Sequence, residues 1–339
     1  MNIQAVLKQL TSRVNLTTPQ ATWLMEQIMS GGLEPPLVAA ALTALHMKGE
    51  TPEEIVAFAK VMRAHATPVK VSRRPLLDTC GTGGDHSRTF NVSTAAAFVV
   101  AGAGVAVAKH GNRAATSACG SADVLEALGA RLDLAPEHVA CSIEKVGIGF
   151  LFARQLHTAM RHVAPIRAAL GFRTVFNLLG PLTNPAEPTG QVVGVFSKDW
   201  VEPLAKALHA LGIEHAYVVH GLDGLDEVSV SAPTYVAEVY RDTVRTFEVT
   251  PHDFGVAWGN REEIGGGTPA ENAAILRQLL QGVPGPARDM VVCNAALALC
   301  AAGIAHGFRE GAEKAQAVIE SGKARQKLEE FIAFTHDPR

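Results

Sequence analysis

The apolar positions of this chain change period part-way along it, and the change separates two kinds of architecture. Over the first 66 residues they recur three or four apart, with Trp23, Leu24, Ile28 and Met29 forming one stripe and Val38, Leu42 and Leu45 another. Four short helices and no strand are expected there. The pairs Thr18-Pro19 and Thr51-Pro52 each set a capping hydroxyl before a proline that is harmless in the first helical turn, and Thr51 with Glu54 has the spacing of a capping box. The stretch TPVKVSRRP, residues 67–75, then reads as a connector.

From Leu76 onward the pattern becomes short apolar runs separated by helix-length sequence. VAVAKH (105–110), IGFLFA (148–153), QVVGVFS (191–197) and HAYVVHG (215–221) read as strands buried on both faces, which is the signature of a largely parallel sheet. VSVSAPTYVAEVYRDTVRTFEV (228–249) alternates with a period of two and predicts antiparallel strands at one edge. Thr268-Pro269 opens a helical C-terminal region. Between them, GFRTVFNLLGPLTNPAEP (171–188) is dense in glycine and proline yet too apolar for a solvated linker, so it is expected to cross back into the helical unit with a hinge at each end. The expected fold is α/β: a small all-helical domain (1–66 with about 165–188) and a larger α/β domain (70–164 and 189–339) with a central, mostly parallel sheet that carries phosphate and metal loops.

Size and charge narrow this picture. At 339 residues the chain exceeds the usual span of one hydrophobic core. The longest uncharged apolar run, Ala95 to Ala108, falls short of the roughly 20 residues a membrane span needs. The start MNIQAVLKQL lacks the features of a signal peptide, and the cytoplasm is the expected address. Five cysteines without CxxC spacing suit reduced thiols better than a disulfide framework or a zinc site. A net charge of −3 provides no global footprint for nucleic acid.

Chemistry concentrates in three loops. In DTCGTGGDHSRTFNVST (78–94), Gly81, Gly83 and Gly84 follow a strand end, and Asn91, Ser93 and Thr94 stand where helix N-cap residues belong. Backbone N–H groups and the positive end of the helix dipole would then face the turn, making an anion its natural occupant. Asp85 is out of place in a bare anion site, unless a metal ion or sugar hydroxyls share it. In KHGNRAATSACGSADVLEALG (109–129), Lys109 and Arg113 supply charge and Asn112, Thr116 and Ser117 supply neutral hydrogen-bonding groups, while Ser121 can cap the next helix. His110 fits a neutral structural role and receives no catalytic one. In HGLDGLDEVS, the pair Asp226-Glu227 is a candidate magnesium site beside a phosphate cradle, with Asp223 a weaker member. Arg167, on a short helix that Pro165 can open, is a surface arginine or a carboxylate clamp at the cleft.

Taken together, GTGGD, TFNVST, KHGNR, GSADVLEALG, RTVFNLLGPLTNPA and DGLDE occur in the order found in the anthranilate phosphoribosyltransferase family, of the nucleoside phosphorylase-like phosphoribosyltransferase fold, and the chain resembles that family over nearly its whole length. The resemblance implies that Gly81, Gly84, Asp85, Thr89, Asn91, Ser93, Thr94, Lys109 and Ser121 hold phosphoribosyl pyrophosphate (PRPP). It implies that Ser93, Asp226 and Glu227 bind Mg2+ and that Gly81, Asn112 and Arg167 contact anthranilate. No dedicated general base is assigned. It further implies a homodimer through the helical unit and a place in tryptophan biosynthesis, without a nucleic-acid or membrane partner. Arg154 and Thr158 stand where the family usually has proline, and Thr116 where it often has serine. Two other readings of the fold, a pyrimidine nucleoside phosphorylase and a nucleic-acid-binding relative with a basic groove, would call respectively for a lysine-bearing phosphate loop and for loss of the Asp226-Glu227 carboxylates.

Overall fold

The computed structural model describes residues 1–84, 87, 89–114 and 118–338. Four helices open the chain: α1 (Ile3–Thr11), α2 (Thr18–Met29), α3 (Pro35–Lys48) and α4 (Pro52–His65). Of the stripe residues, Leu24, Ile28, Met29, Val38, Leu42 and Leu45 are buried, and Trp23 is half-buried against the same core. The capping box at α4 forms as its spacing predicts, with Glu54 N–H donating to Thr51 Oγ1 at 3.3 Å and Thr51 N–H to Glu54 Oε2 at 2.9 Å. At α2 the cap falls one residue earlier than expected, on Thr17. Its N–H and hydroxyl donate to Gln20 Oε1, and Pro19 is the second helical residue.

The remainder alternates strand and helix: β1 (Leu76–Gly81), α5 (Val92–Gly102), β2 (Ala106–Gly111), α6 (Ser121–Leu128), α7 (Pro136–Lys145), β3 (Ile148–Phe152), then the short helices α8 (Ala153–Leu156), α9 (Ala164–Leu170) and α10 (Phe176–Leu179). It continues through β4 (Gly190–Gly194), α11 (Val201–Ala210), β5 (His215–Gly221), β6 (Thr234–Tyr240), β7 (Thr243–Val249), α12 (Pro269–Leu280), α13 (Pro286–Ala301), α14 (Phe308–Glu320) and α15 (Lys323–His336). The sheet order is β3-β2-β1-β4-β5-β6-β7. The first five strands are mutually parallel, and β6 and β7 are antiparallel at the edge. The period-two stretch accounts for that edge from Thr234; its first residues, 228–233, form the turn before β6 rather than a strand.

Successive crossovers place β2 and β3 on one side of β1, and β4 and β5 on the other. The strand order therefore reverses at β1, and the crevice beyond its C-terminal end is where an open parallel sheet binds ligands. Apolar packing holds that end in place from both faces. On one face α5 and α13 are almost wholly buried, with every residue from Met290 to Ala301 inside. On the other, α11 and the helices α1–α4 share a core with Val193, Val195 and Val218 of the sheet. Val163, Ile166, Val175, Phe176 and Leu179, from the segment between β3 and β4, join the same core.

Candidate active site

Three loops meet at the C-terminal ends of β1, β2 and β5. After β1 the chain turns through Gly83 and Gly84, whose φ angles of 60° and 76° lie in the left-handed region that glycine tolerates best. Asp226 reaches this turn from the loop after β5, and its Oδ2 accepts the Gly83 N–H at 3.0 Å. Glu227 Oε1 accepts the Ser93 N–H at the start of α5, at 3.2 Å. The positive end of that helix thus meets a carboxylate of the protein's own. A β-carbon at Gly81 would lie 2.8 Å from Asp226 Oδ2, so a larger residue there would displace that carboxylate.

Beneath the turn, Lys109 from β2 is buried and donates from Nζ to Thr79 O at 2.6 Å and to Ser93 Oγ at 3.3 Å. Burial pushes its pKa down, while Asp78 and Glu227 pull it up. Asp78 is also buried. Burial raises its pKa, against Lys109 and the groups that donate to the carboxylate, among them the His110 N–H at 3.1 Å and Asn184 Nδ2 at 2.9 Å. Thr94 Oγ1, in the first turn of α5, is buried without a hydrogen-bond partner among the described residues.

Several expectations change on contact with this geometry. Asn91 does occupy the N-cap position of α5, but its side chain makes no cap bond. Its amide donates to Cys119 O at 3.2 Å and its carbonyl accepts from Asn272 at 2.9 Å, so it ties the Lys109–Gly129 loop and α12 to the helix start. Ser121 is the first residue of α6 and not its cap; its Oγ accepts the Asn112 N–H at 3.2 Å and braces the preceding loop. Asp123 instead accepts the Gly120 and Ala114 N–H groups, at 2.9 and 2.8 Å. Arg113 pairs with Asp123 and Glu126 along α6, and its charge is spent there. Asp223 is turned into its own loop, where it accepts the Ser229 and Ser231 hydroxyls, and is not brought to the Asp226-Glu227 pair. Thr89 sits at a backbone bridge to Gly265, with its hydroxyl 3.1 Å from Ser87 Oγ. Asp85, Thr116 and Ser117 lie outside the described residues.

Arg167 on α9 is half-buried. Its Nη2 donates to Asn177 Oδ1 at 3.4 Å, its guanidinium lies 5.5 Å from the Phe176 ring centre, and no carboxylate pairs with it among the described residues. Burial lowers its pKa. His110 Nδ1 lies 3.2 Å from Gly180 O and its Nε2 lies 3.2 Å from His157 Nε2. Burial drives His110 down to about 3 and His157 to about 4, so both rings are neutral near pH 7. A neutral His110 that donates from Nδ1 to the Gly180 carbonyl must accept at Nε2. That is a structural arrangement, as the sequence suggested.

The same contacts bear on magnesium. Ser93, Asp226 and Glu227 converge on one edge of the glycine turn, and no group of three or more His, Cys, Asp or Glu placed to hold a metal ion is present among the described residues. Two carboxylates and a hydroxyl beside a glycine turn suit Mg2+, which takes one or two protein carboxylates and keeps several waters.

Comparison with known proteins points the same way. Residues 73–325 match the family model described as glycosyl transferase family, a/b domain, and residues 4–66 match the helical bundle domain of the same family. The chain is 55% identical over 334 residues to an anthranilate phosphoribosyltransferase of Symbiobacterium thermophilum, covering 98% of each protein. The crystal structure of anthranilate phosphoribosyltransferase from Thermus thermophilus aligns with a TM-score of 0.92 at 47% identity, over 98% of this chain and 99% of that one. The Saccharomyces cerevisiae enzyme, in complex with PRPP and Mg, aligns with a TM-score of 0.87 at 31% identity over 98% of both chains. The chain belongs to the anthranilate phosphoribosyltransferase family.

For this anthranilate phosphoribosyltransferase family member the sequence reading missed three structural supports. Gly194 ends β4, and a β-carbon there would fall 1.5 Å from the Asp226 carbonyl oxygen. The glycine in QVVGVFS is the signal, since glycine inside a strand marks a close backbone approach. Asp78 lies within β1, and an acid in an apolar strand must find partners. Arg173 donates to Gly84 O at 2.8 Å and lies 4.3 Å from the Phe196 ring centre, so the segment between β3 and β4 touches the cradle directly. Arg173 opens the motif RTVFNLLGPLTNPA, but nothing local in that run signals a contact with Gly84.

Proposed function

We infer that this enzyme transfers the 5-phosphoribosyl group of PRPP to the amino nitrogen of anthranilate, giving N-(5-phosphoribosyl)anthranilate and pyrophosphate in tryptophan biosynthesis. The observation that carries the reading is the meeting of Asp226 and Glu227 with Gly83 and the start of α5. PRPP would lie against Gly81, Gly84, Asp85, Thr89, Asn91, Ser93, Thr94, Lys109 and Ser121. Ser93, Asp226 and Glu227 would hold Mg2+, which when bound neutralises charge on the departing pyrophosphate. Asn91 and Ser121 act here as braces for the loops that face the donor, as their bonds to Cys119, Asn272 and Asn112 suggest. The Thr94 hydroxyl, without a partner among the described residues, is suited to a ligand oxygen.

Anthranilate would lie between Gly81, Asn112 and Arg167, its carboxylate opposite the α9 guanidinium that no carboxylate satisfies among the described residues. As the aniline nitrogen attacks the anomeric carbon, the bond to the pyrophosphate oxygen breaks and a proton leaves the nitrogen. An aromatic amine needs little activation, so positioning carries most of the catalysis. No residue is assigned as general base. Closure of a helical unit, built from residues 1–66 and about 165–188, onto the α/β part would exclude water, with Arg173 on Gly84 as a contact between them.

The same helical unit is our candidate dimer face. Met47 at the end of α3 is 67% exposed and Phe172 is 39% exposed beside it, its ring 5.1 Å from that of His46. No helix of the described residues is long and apolar enough to cross a membrane, and we place the enzyme in the cytoplasm. Mass spectrometry of a reaction containing the protein, PRPP, anthranilate and Mg2+ tests the function. It should reveal N-(5-phosphoribosyl)anthranilate with pyrophosphate released one for one. Phosphorolysis of uridine or thymidine without that product would favour the nucleoside phosphorylase reading, and salt-sensitive DNA binding without turnover the nucleic-acid one.

A further inference from the structure

A second cavity, of about 300 Å³, lies between the connector from α4 to β1 and the one from α10 to β4. That volume is at the small end of ligand sites. It adjoins the N-terminal end of β1, whereas the glycine turn lies beyond the other end of that strand. Its lining includes three cations, Arg63, Lys70 and Arg74, against one carboxylate, Glu187. No ion pair engages any of the three cations among the described residues. Arg63 enters from α4 and fixes itself by donating from Nε to Leu182 O at 2.7 Å. Burial pushes its pKa down while Glu187 pulls it up, and it stays charged. Glu187 acts on this half-buried guanidinium from beyond ion-pair distance, so the charge is only partly compensated.

The walls are held in place from below. Val69 N–H donates to Pro185 O at 3.1 Å and joins the two connectors. Asn184 is pinned by its amide to Asp78 and to Ala108 O, at 2.9 and 2.8 Å. Glu187 follows in a tight turn at a φ of 51°, its N–H on Asn184 O, so its carboxylate is carried by a fixed backbone. Three cations over one acid leave an excess of two positive charges, which matches a dianion better than a single carboxylate.

We propose that this cavity binds a small oxyanion of the phosphate class, inorganic phosphate or the end of a phosphomonoester, through Arg63, Lys70 and Arg74, separately from the donor site. Arg63 belongs to α4 while Lys70 and Arg74 belong to the connector, so an ion held by all three bridges that joint. Isothermal titration of the full chain with inorganic phosphate tests this, with ribose 5-phosphate titrated in parallel to distinguish the two sources. Wild type should display a saturable site that the double variant Lys70→Ala/Arg74→Ala weakens by about tenfold or more. Glu187→Gln, which removes the opposing charge, should tighten the same site. Crystals soaked in selenate should carry an anomalous peak between Arg63, Lys70 and Arg74. Identical isotherms for wild type and both variants would overturn the proposal, as would a selenate peak without saturable binding in solution, which marks an adventitious ion only.

Discussion

At the scale of single residues the site depends on how closely the β4 end approaches the loop after β5 that carries Asp226. Gly194 leaves no room for a methyl group beside the Asp226 backbone, so Gly194→Ala must push Asp226 away from Gly83. Overpacking of this kind costs about 1–3 kcal/mol, and displacement of a reacting group by 1 Å costs roughly 100-fold in rate. We expect both in denaturant titration and steady-state assay; a stable, fully active variant would remove Gly194 from the account. Gly84 behaves differently. Its nearest neighbour to an added β-carbon is Arg173 Cδ at 3.8 Å, so Gly84→Ala suffers from its left-handed backbone, not from a crowded cradle. Arg167→Ala should raise KM for anthranilate roughly 10- to 100-fold while leaving that for PRPP within a fewfold. Equal effects on both constants would refute the clamp. The glycines and the carboxylate pair were legible in the sequence because each is unusual in its setting. Arg173 and the orientation of Asn91 were not, since their partners lie 89 and 181 residues away.

At the scale of elements, the β2 end and the segment before β4 are joined through neutral histidines. His110 and His157 have folded pKa values of about 3 and about 4, below the ordinary value near 6.5 that the unfolded chain would have. Below pH 6.5 the unfolded state binds more protons, so stability falls as pH drops from about 6.5 towards 4, and the loss saturates below the folded values. Above pH 6.5 neither ring contributes. His110→Gln and His157→Gln should each flatten this slope in urea titrations at pH 5, 6 and 7; an unchanged slope would contradict the assignment. The strands and most helices were predicted from periodicity because burial on one or both faces dictates it. Their ends were less legible. Thr17 took the cap expected of Thr18, and Ser121 became the first helical residue, since a cap is decided by where the chain enters the helix. Within the bundle, Glu54 is fully buried, paired with Lys48 at 2.8 Å and accepting the Leu16 N–H at 2.7 Å. Glu54→Ala leaves Lys48 with Asn15 Oδ1 and Gly49 O but no counter-charge, and should cost about 3–5 kcal/mol in urea unfolding. A loss under 1 kcal/mol, the range of an exposed pair, would show that the pair is not buried in solution.

At the scale of the whole molecule, reversal of strand order at β1 explains why loops distant in sequence share one crevice. The alternation of strand and helix made a parallel sheet foreseeable, but its order, with β4 beside β1, follows from packing that no single segment encodes. The same packing lets the N-terminal helices share a core with β4, β5 and α11. If Met47 and Phe172 form the dimer face, Met47→Glu with Phe172→Glu should convert a dimer to a monomer in light scattering, and an unchanged mass would place the interface elsewhere. The central claim, that this crevice joins PRPP to anthranilate, is tested most directly by the initial rate of anthranilate fluorescence loss, measured as Mg2+ is varied. Fluorescence should decay only when PRPP, Mg2+ and enzyme are all present, and Asp226→Asn with Glu227→Gln should cripple the rate and shift its Mg2+ dependence. Undiminished fluorescence with wild-type enzyme, or the same Mg2+ titration for the variant, would contradict the account.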